Sequence, residues 1–453
     1  MAPKRKIIID CDPGVDDVIG LLLAFNAPDI EIALVSLCFG NVDTAASLRN
    51  VIATLSVLGR ESEFRKERGL PALQFDPADR AAWPTVACGS DEPMSEVRHT
   101  ADYYHGVDGL GGVHAALPEL STPADYRLPF VPDAQLTPAE VEAKRAATAA
   151  VVGYVPSDRE PADLVLEILA AEPAGTVTIV ALAPMTNLAH AALRNPAVFS
   201  RAAAVNAMGG AIAVAGNMSP LAEFNVFADP EASAVVYAMT SPSPLSTMPP
   251  AIARTLSDET RAALAAVPAP IELNLFPLDI TFQYSLKRTE FMAAAAPLAA
   301  AGSPLARWMS YWMEVTFDKM RVLIGVKGAD DPNADLLIRL HDPLTVWYTV
   351  LGQPDASPSV LTHYPSGAPI LPSEFQFARA SDVRIETTGQ WTTGACIVEH
   401  RPGATKRVYT SPAESAQDYG RWLDAEAGNR VNVAAPGPAP AAFVRALLAT
   451  LFP

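Results

Sequence analysis

Four carboxylic acids crowd into positions 10–17: Asp10, Asp12, Asp16 and Asp17, set around Pro13 and Gly14. Acids at this density have two chemical outlets. Like charges a few ångströms apart raise one another's pKa and hold protons, or they share a cation. Acidic oxygens on a rigid turn suit a hard cation such as Ca²⁺ or Mg²⁺. A lone Asp here would serve as a helix cap, but a cap uses one or two acids and leaves the others unexplained. A second polar cluster holds Asn217, Glu223 and Asn225 with Phe224 between them, donors and acceptors of the kind that grip a polyol. A third, His341-Asp342-Pro343, sets an imidazole beside another acid.

The elements that must position these groups can be read from apolar patterning. Residues 7–9, all isoleucine, are bounded by the Pro-Gly turn and read as a buried strand. The apolar run 18–25 follows two acids and reads as a helix with Asp in its first turn. The acids therefore lie where a strand ends and a helix begins, the edge of an open α/β sheet at which ligands bind. The same edge recurs. Residues 30–37 read as a strand leading to Gly40-Asn41, residues 176–182 as one leading to Ala183-Pro184, and residues 202–208 as one leading to Gly209-Gly210. Helices are expected over 43–58, 161–171 and 443–452. Another starts at 136–142 with Thr137 as cap and Pro138 in its first position, and another at Pro230 with Asp229 as cap. Residues 60–97 read as irregular around one short strand at 84–88. Residues 278–281 are expected to end a strand and 281–301 to be helical, with Tyr284 a candidate for the ligand site; 383–398 read as a hairpin. A glycine-rich loop, His105 to Gly112, follows Tyr103 and Tyr104 and lacks the Gly-Lys-Ser/Thr of a phosphate loop.

Composition narrows the partners. Half of the 453 residues are apolar, enough for one large α/β domain or two smaller ones. A net charge of −17 argues against nucleic acid, whose backbone needs a basic face. Four scattered cysteines form no metal motif and suit a reducing, cytoplasmic setting. The basic start is no signal peptide, and no apolar run approaches the ~20 residues of a membrane span.

These motifs, in this order, resemble the inosine–uridine preferring nucleoside hydrolases. The opening Asp-x-Asp-Pro-Gly-x-Asp-Asp is complete. Gly40-Asn41, His105-Gly106, Asn217, Ala222-Glu223-Phe224-Asn225, Leu278-Asp279-x-Thr281 and His341-Asp342-Pro343 match later segments. Ala183 stands where the family carries Gly. The resemblance implies an open, mostly parallel central sheet flanked by helices, a Rossmann-like α/β fold, as one domain over 1–453, with added segments near 113–159 and 402–430. It implies Ca²⁺ held by Asp12, Asp17, the main-chain carbonyl of Leu182 and Asp342. Ribonucleoside would be bound by Asp16, Asn41, His105, Met208, Asn217, Glu223, Phe224 and Asn225. Asp12 would act as general base and His341, with His105 or Tyr284, would help the departing base. His341 in place of the Trp of purine-preferring relatives implies uridine- or inosine-like breadth, in nucleoside salvage, by a homodimer or homotetramer. Two rivals stand beside it: a haloacid dehalogenase-type phosphatase, whose first strand also ends in Asp-x-Asp, and a non-catalytic nucleoside-binding relative. The motifs of serine hydrolases, zincins, Walker-type NTPases and dinucleotide binders are absent.

Overall fold

The computed structural model describes residues 4–101, 104–123, 125–323, 336–351, 359, 361–411, 414 and 416–453. Its strands are β1 (Arg5–Cys11), β2 (Ile30–Leu37), β3 (Thr85–Cys88), β4 (Val155–Ser157), β5 (Val177–Ala181), β6 (Ala204–Met208) and β7 (Leu273–Phe276), then β8 (Ser285–Lys287), β9 (Leu337–Arg339), β10 (Phe377–Ser381), β11 (Val383–Ile385), β12 (Cys396–Val398) and β13 (Val431–Ala434). A nine-stranded sheet runs β10-β13-β7-β6-β5-β1-β2-β3-β4. Its neighbours are parallel, except for the antiparallel pair β10–β13 at one edge. The pairs β8–β9 and β11–β12 form small antiparallel ribbons, the second being the expected hairpin.

β1 lies inside the sheet, between β5 and β2. Helices cover both faces, so its isoleucines are buried on both sides instead of alternating: Ile7 is 1% exposed, Ile8 and Ile9 not at all. Each such side chain contributes ~1.5–3 kcal/mol, and that burial anchors the strand whose end presents the acids. The chain then turns into the helix Val15–Phe25, buried almost throughout its length. It packs on a late helix, His341–Val350. Gly20 permits the close approach, since a Cβ there would sit 3.1 Å from Val346 Cγ2. Both helices begin at the carboxyl edge of the sheet, which brings the first turn of one, with Asp342, to the first turn of the other, with Asp16 and Asp17.

Several expectations change. The helix expected over 43–58 runs Thr44–Arg68, capped by the Asp43 carboxylate and stopped by Gly69 at φ 64°. Residues 60–68 look irregular by composition, but their polar groups have buried partners: Arg65 Nε meets Glu61 Oε1 at 2.8 Å, and Ser303 Oγ donates to Glu61 Oε2 at 2.6 Å. The strand before residue 278 ends at Phe276, and Leu278–Thr281 is a helical turn. Residues 285–287 are strand, and the following helix is Arg288–Ala300. Tyr284 is not at the ligand site. Its hydroxyl donates to Pro438 O at 2.7 Å inside the core. Asp279 is structural, accepting Ile212 N at 2.9 Å and Ala213 N at 2.7 Å.

Residues 113–159 include the helix Pro138–Ala149, with Thr137 as the expected cap and Glu140 making it reciprocal, and run through β4, the edge strand. Residues 402–430 attach to β11: Lys406 Nζ donates to Asp382 Oδ2 at 2.9 Å, and Asn429 Nδ2 to Val383 O at 2.7 Å. The helix Pro304–Leu323 and the sheet strand β13 had no counterpart in the sequence reading. Among the described residues, no helix is long and apolar enough to cross a membrane.

Candidate active site

Asp17 lies in the first turn of its helix and folds back over the helix start. Its Oδ2 accepts Gly14 N at 3.1 Å and its Oδ1 accepts Asp12 N at 3.3 Å. Asn41, just past the end of β2, ties the first two acids together. Its backbone N–H donates to Asp12 Oδ2 at 2.6 Å and its amide to Asp17 Oδ2 at 3.0 Å. The other oxygen of Asp12, Oδ1, is fully buried with no hydrogen-bond partner. The acids Asp16, Asp17 and Asp342 offer oxygens within 4.8 Å of one another. Burial, then mutual repulsion, pushes Asp12 and Asp342 well above the ordinary carboxylate range and Asp16 to about 7. Asp17 is also raised, by burial, against the N–H groups of Gly14 and Asp12.

Asp10 has a different task. Its Oδ1 accepts Ser36 Oγ and Asn187 Nδ2, the latter at 2.9 Å, and the Asn187 amide also reaches Leu37 O at 3.0 Å. This buried knot holds β1, β2 and the start of the helix Thr186–Arg194 in register, outside the acid cluster.

Gly40 shows how tightly the turn is built. A Cβ there would lie 2.0 Å from Asp12 Oδ2. Gly40→Ala is therefore expected to displace the Asp12 carboxylate and lower kcat roughly a hundredfold, the scale of a 1 Å misplacement. Steady-state kinetics beside a melting curve would check it, and wild-type turnover in Gly40→Ala would contradict it.

A cavity of about 770 Å³ opens above the acids. Asp16, Asn41, His105, Leu182, Met208, Asn217, Glu223, Phe224, Asn225, His341 and Asp342 line it, while Asp12 and Asp17 are fully buried and outside its lining. The β6 edge supplies Met208, and the short helix Phe224–Ala228 with the loop before it supplies the polar cluster. Glu223 caps that helix: its carboxylate accepts Asn225 N at 3.0 Å, Val226 N at 3.3 Å and Gly210 N at 2.8 Å. Asn225 Nδ2 donates to Leu182 O at 2.8 Å, and Asn217 Oδ1 accepts Phe224 N at 2.9 Å.

Two imidazoles face the cavity, both neutral near pH 7. His105 Nδ1 accepts Val15 N at 3.1 Å, so its Nε2 carries the hydrogen, 4.0 Å from Asp16 Oδ1. Burial, with Lys319 and His341 nearby, pushes its pKa down to about 3, so this contact is no ion pair. His341 Nδ1 is 2.7 Å from Thr281 Oγ1, and burial beside Arg339 pushes it down to about 4.

Residues 7–427 match the inosine-uridine preferring nucleoside hydrolases. The chain belongs to that family. It is 32% identical, over 89% of its length and 93% of the relative's, to the pyrimidine-specific ribonucleoside hydrolase RihA of Salmonella enteritidis. It is 31% identical to uridine nucleosidase 1 of Arabidopsis thaliana, over 52% of this chain and 54% of that one. A solved plant nucleoside hydrolase shares the fold over 99% of both chains, with a TM-score of 0.60 and 21% identity. The protein is thus a ribonucleoside hydrolase, and the phosphatase and non-catalytic alternatives fall away.

The sequence reading missed one wall of the cavity. Thr316, Lys319, Met320 and Leu323 of the helix Pro304–Leu323 line it, as do Phe282 and Arg339. Their three- and four-residue spacing marks one helix face, which in sequence looks like any buried face. The acid cluster fits a hard cation. Burial raises Asp12, Asp17, Asp342 and the half-buried Asp16, repulsion adds to it at Asp12, Asp16 and Asp342, and the Asp12 Oδ1 left bare beside them is a ligand atom waiting for a partner.

Proposed function

We propose that the enzyme hydrolyses the N-glycosidic bond of pyrimidine ribonucleosides, uridine foremost, to ribose and free base, in nucleoside salvage. The clustered oxygens of Asp16, Asp17 and Asp342 at a cavity walled by hydrogen-bonding side chains carry this reading. The names of the relatives support the pyrimidine preference. Asp12, Asp17, Asp342 and the Leu182 carbonyl would hold Ca²⁺. That carbonyl accepts one bond from Asn225 and keeps a second lone pair. Bound there, the ion supplies a positive template for sugar hydroxyls and water. Asp16 is near enough to the ligands to join them, but it stands on the cavity wall and is assigned to the ribose with Asn41, Asn217, Glu223, Phe224 and Asn225, above Met208.

Bond cleavage develops positive charge on the sugar. Asp12 takes the proton of the attacking water through Oδ1. The acids below the ring stabilise the oxocarbenium character. Phe224 and Met208 keep bulk water off the sugar. A neutral His341 helps the departing base by donating an N–H hydrogen bond, in an orientation set by Thr281. His105 offers its Nε2–H on the other side of the cavity. Thr281→Val is expected to lower kcat on uridine roughly tenfold, the scale of one hydrogen bond, with KM little changed. Steady-state rates would show it, and an unchanged kcat would remove Thr281 from this role.

One domain over 1–453 is supported by a sheet that draws strands from Arg5 to Ala434. A cytoplasmic setting is supported by Cys11, Cys38, Cys88 and Cys396 standing as free thiols. A homodimer or homotetramer is what the family resemblance implies. Ribose release from uridine, cytidine, inosine and adenosine tests the reading. Uridine should be fastest. Faster purine release would overturn the base preference, and silence on all four would overturn the hydrolytic mechanism.

A further inference from the structure

Behind the acid turn, outside the cavity, lies a buried histidine that the reaction does not touch. His114 is 4% exposed. Its Nε2 is 2.7 Å from Asn50 Oδ1 and its Nδ1 2.8 Å from Ser121 Oγ. Asn50 spends both amide hydrogens elsewhere, on Pro13 O at 2.7 Å and Asp108 O at 2.9 Å. Its Oδ1 can only accept, so His114 carries its hydrogen on Nε2. Nδ1 is then bare and accepts the Ser121 hydroxyl, whose oxygen receives Arg49 Nη2 at 3.4 Å. Every hydrogen in the chain has one place, and the Asn50 amide has one orientation.

The two carbonyls that Asn50 joins belong to two parts of the site. Pro13 sits between Asp12 and Gly14 in the acid turn. Asp108 sits in the glycine-rich loop that carries His105, and its own Oδ1 shapes that loop by accepting Leu110 N at 3.0 Å and Gly112 N at 2.8 Å. The loop closes directly over the amide. Gly109 has φ 81°, and a Cβ there would lie 2.7 Å from Asn50 Nδ2 and 3.1 Å from Pro13 O. From this geometry we infer that Asn50, locked in one orientation by His114, is a positioning residue that staples the acid turn to the His105 loop. The inference rests on the hydrolytic reading of the cavity. Losing the staple lets Asp12 and Asp16 shift against His105, and displacements near 1 Å cost large factors in rate.

The test is uridine hydrolysis by wild type, Asn50→Ala, His114→Phe, His114→Gln and the Asn50→Ala/His114→Phe double variant, with melting curves and ¹⁵N spectra of the wild-type imidazoles. Asn50→Ala and His114→Phe should each lower kcat more than tenfold while KM changes less than threefold. The double variant should be no worse than Asn50→Ala, because both break one staple. His114→Gln keeps an N–H for Asn50 Oδ1 and should stay within threefold of wild type, which a merely space-filling role would not distinguish from Phe. The wild-type ring should show the Nε2–H tautomer. A folded Asn50→Ala with wild-type kcat, additive losses, or equal activities of His114→Gln and His114→Phe would overturn the inference. If Asn50→Ala does not fold, the Gln–Phe contrast and the tautomer still decide it, and an Nδ1–H ring overturns it. A wild type silent on every nucleoside would instead sink the hydrolytic reading, with the tautomer still reporting on the staple.

Discussion

Asp12→Asn is expected to lower kcat on uridine by roughly a thousandfold, within the ~10²–10⁴ that a positioned general base contributes. The variant keeps the shape of the turn, because the amide oxygen can still accept the Asn41 N–H now made by Oδ2. The amide nitrogen then occupies the place of Oδ1, the buried atom without a partner. It can neither take a proton from water nor ligate a cation. Stability should not fall with activity. Burial and the charge of Asp17 already push Asp12 well above its ordinary pKa, so in chelator, where wild type and variant both lack the ion, a neutral side chain relieves repulsion and Tm should hold or rise. Ribose-release rates and thermal melts on one preparation separate the two effects. A variant with turnover within tenfold of wild type would remove Asp12 from the base role.

Chelation is expected to abolish hydrolysis and to make stability fall as pH rises, and added Ca²⁺ to reverse both. Asp16 and Asp10 stand at about 7 and about 6 in the cation-free fold, against an ordinary 3.8. A folded state that holds protons more tightly than the unfolded chain loses stability as they leave. The contribution is therefore complete below about pH 4 and disappears as pH climbs toward 7. For Asp16 alone a difference of that size corresponds to about 4 kcal/mol. Bound Ca²⁺ should favour the ionised forms of Asp12, Asp17, Asp342 and the neighbouring Asp16, removing the Asp16 part of the slope and adding roughly 2.7 kcal/mol at a hundredfold excess over Kd. Melting curves at pH 5 and pH 8, with chelator and with Ca²⁺, read this directly. Identical melts with and without the ion would contradict the cation site.

The parts of the site legible in sequence are those that local chemistry writes into one segment. Asp12, Asp16 and Asp17 share a strand–turn–helix junction, so their density alone announces a cation or a proton. Capping residues were equally plain: Thr137 and Asp229 cap where their side-chain chemistry says they should. Glu223 shows a limit. Its place beside Asn225 suggested a direct grip on sugar, yet its carboxylate is largely committed to three backbone N–H groups. It faces the cavity while chiefly holding the loop in shape. The helix Pro304–Leu323 shows another, since nothing in an apolar helix face tells whether it lines a core or a cavity.

The sequence by itself determined the acid turn, the strands and helix starts next to it and the chemistry of the residues at their ends, because strand burial, turn formation and capping act over a few neighbouring residues. Tertiary structure alone decided which distant groups meet. Asp342 reaches Asp16 and Asp17 only because Gly20 lets two helices pack closely. His341 becomes a neutral ring only once it is buried against Thr281. Asn50, an unremarkable helix residue in sequence, joins turn to loop only because the fold brings two carbonyls within reach of one amide. Proton affinity and hydrogen-bond partnership depend on burial and on neighbours remote in the chain, and only the folded chain creates these.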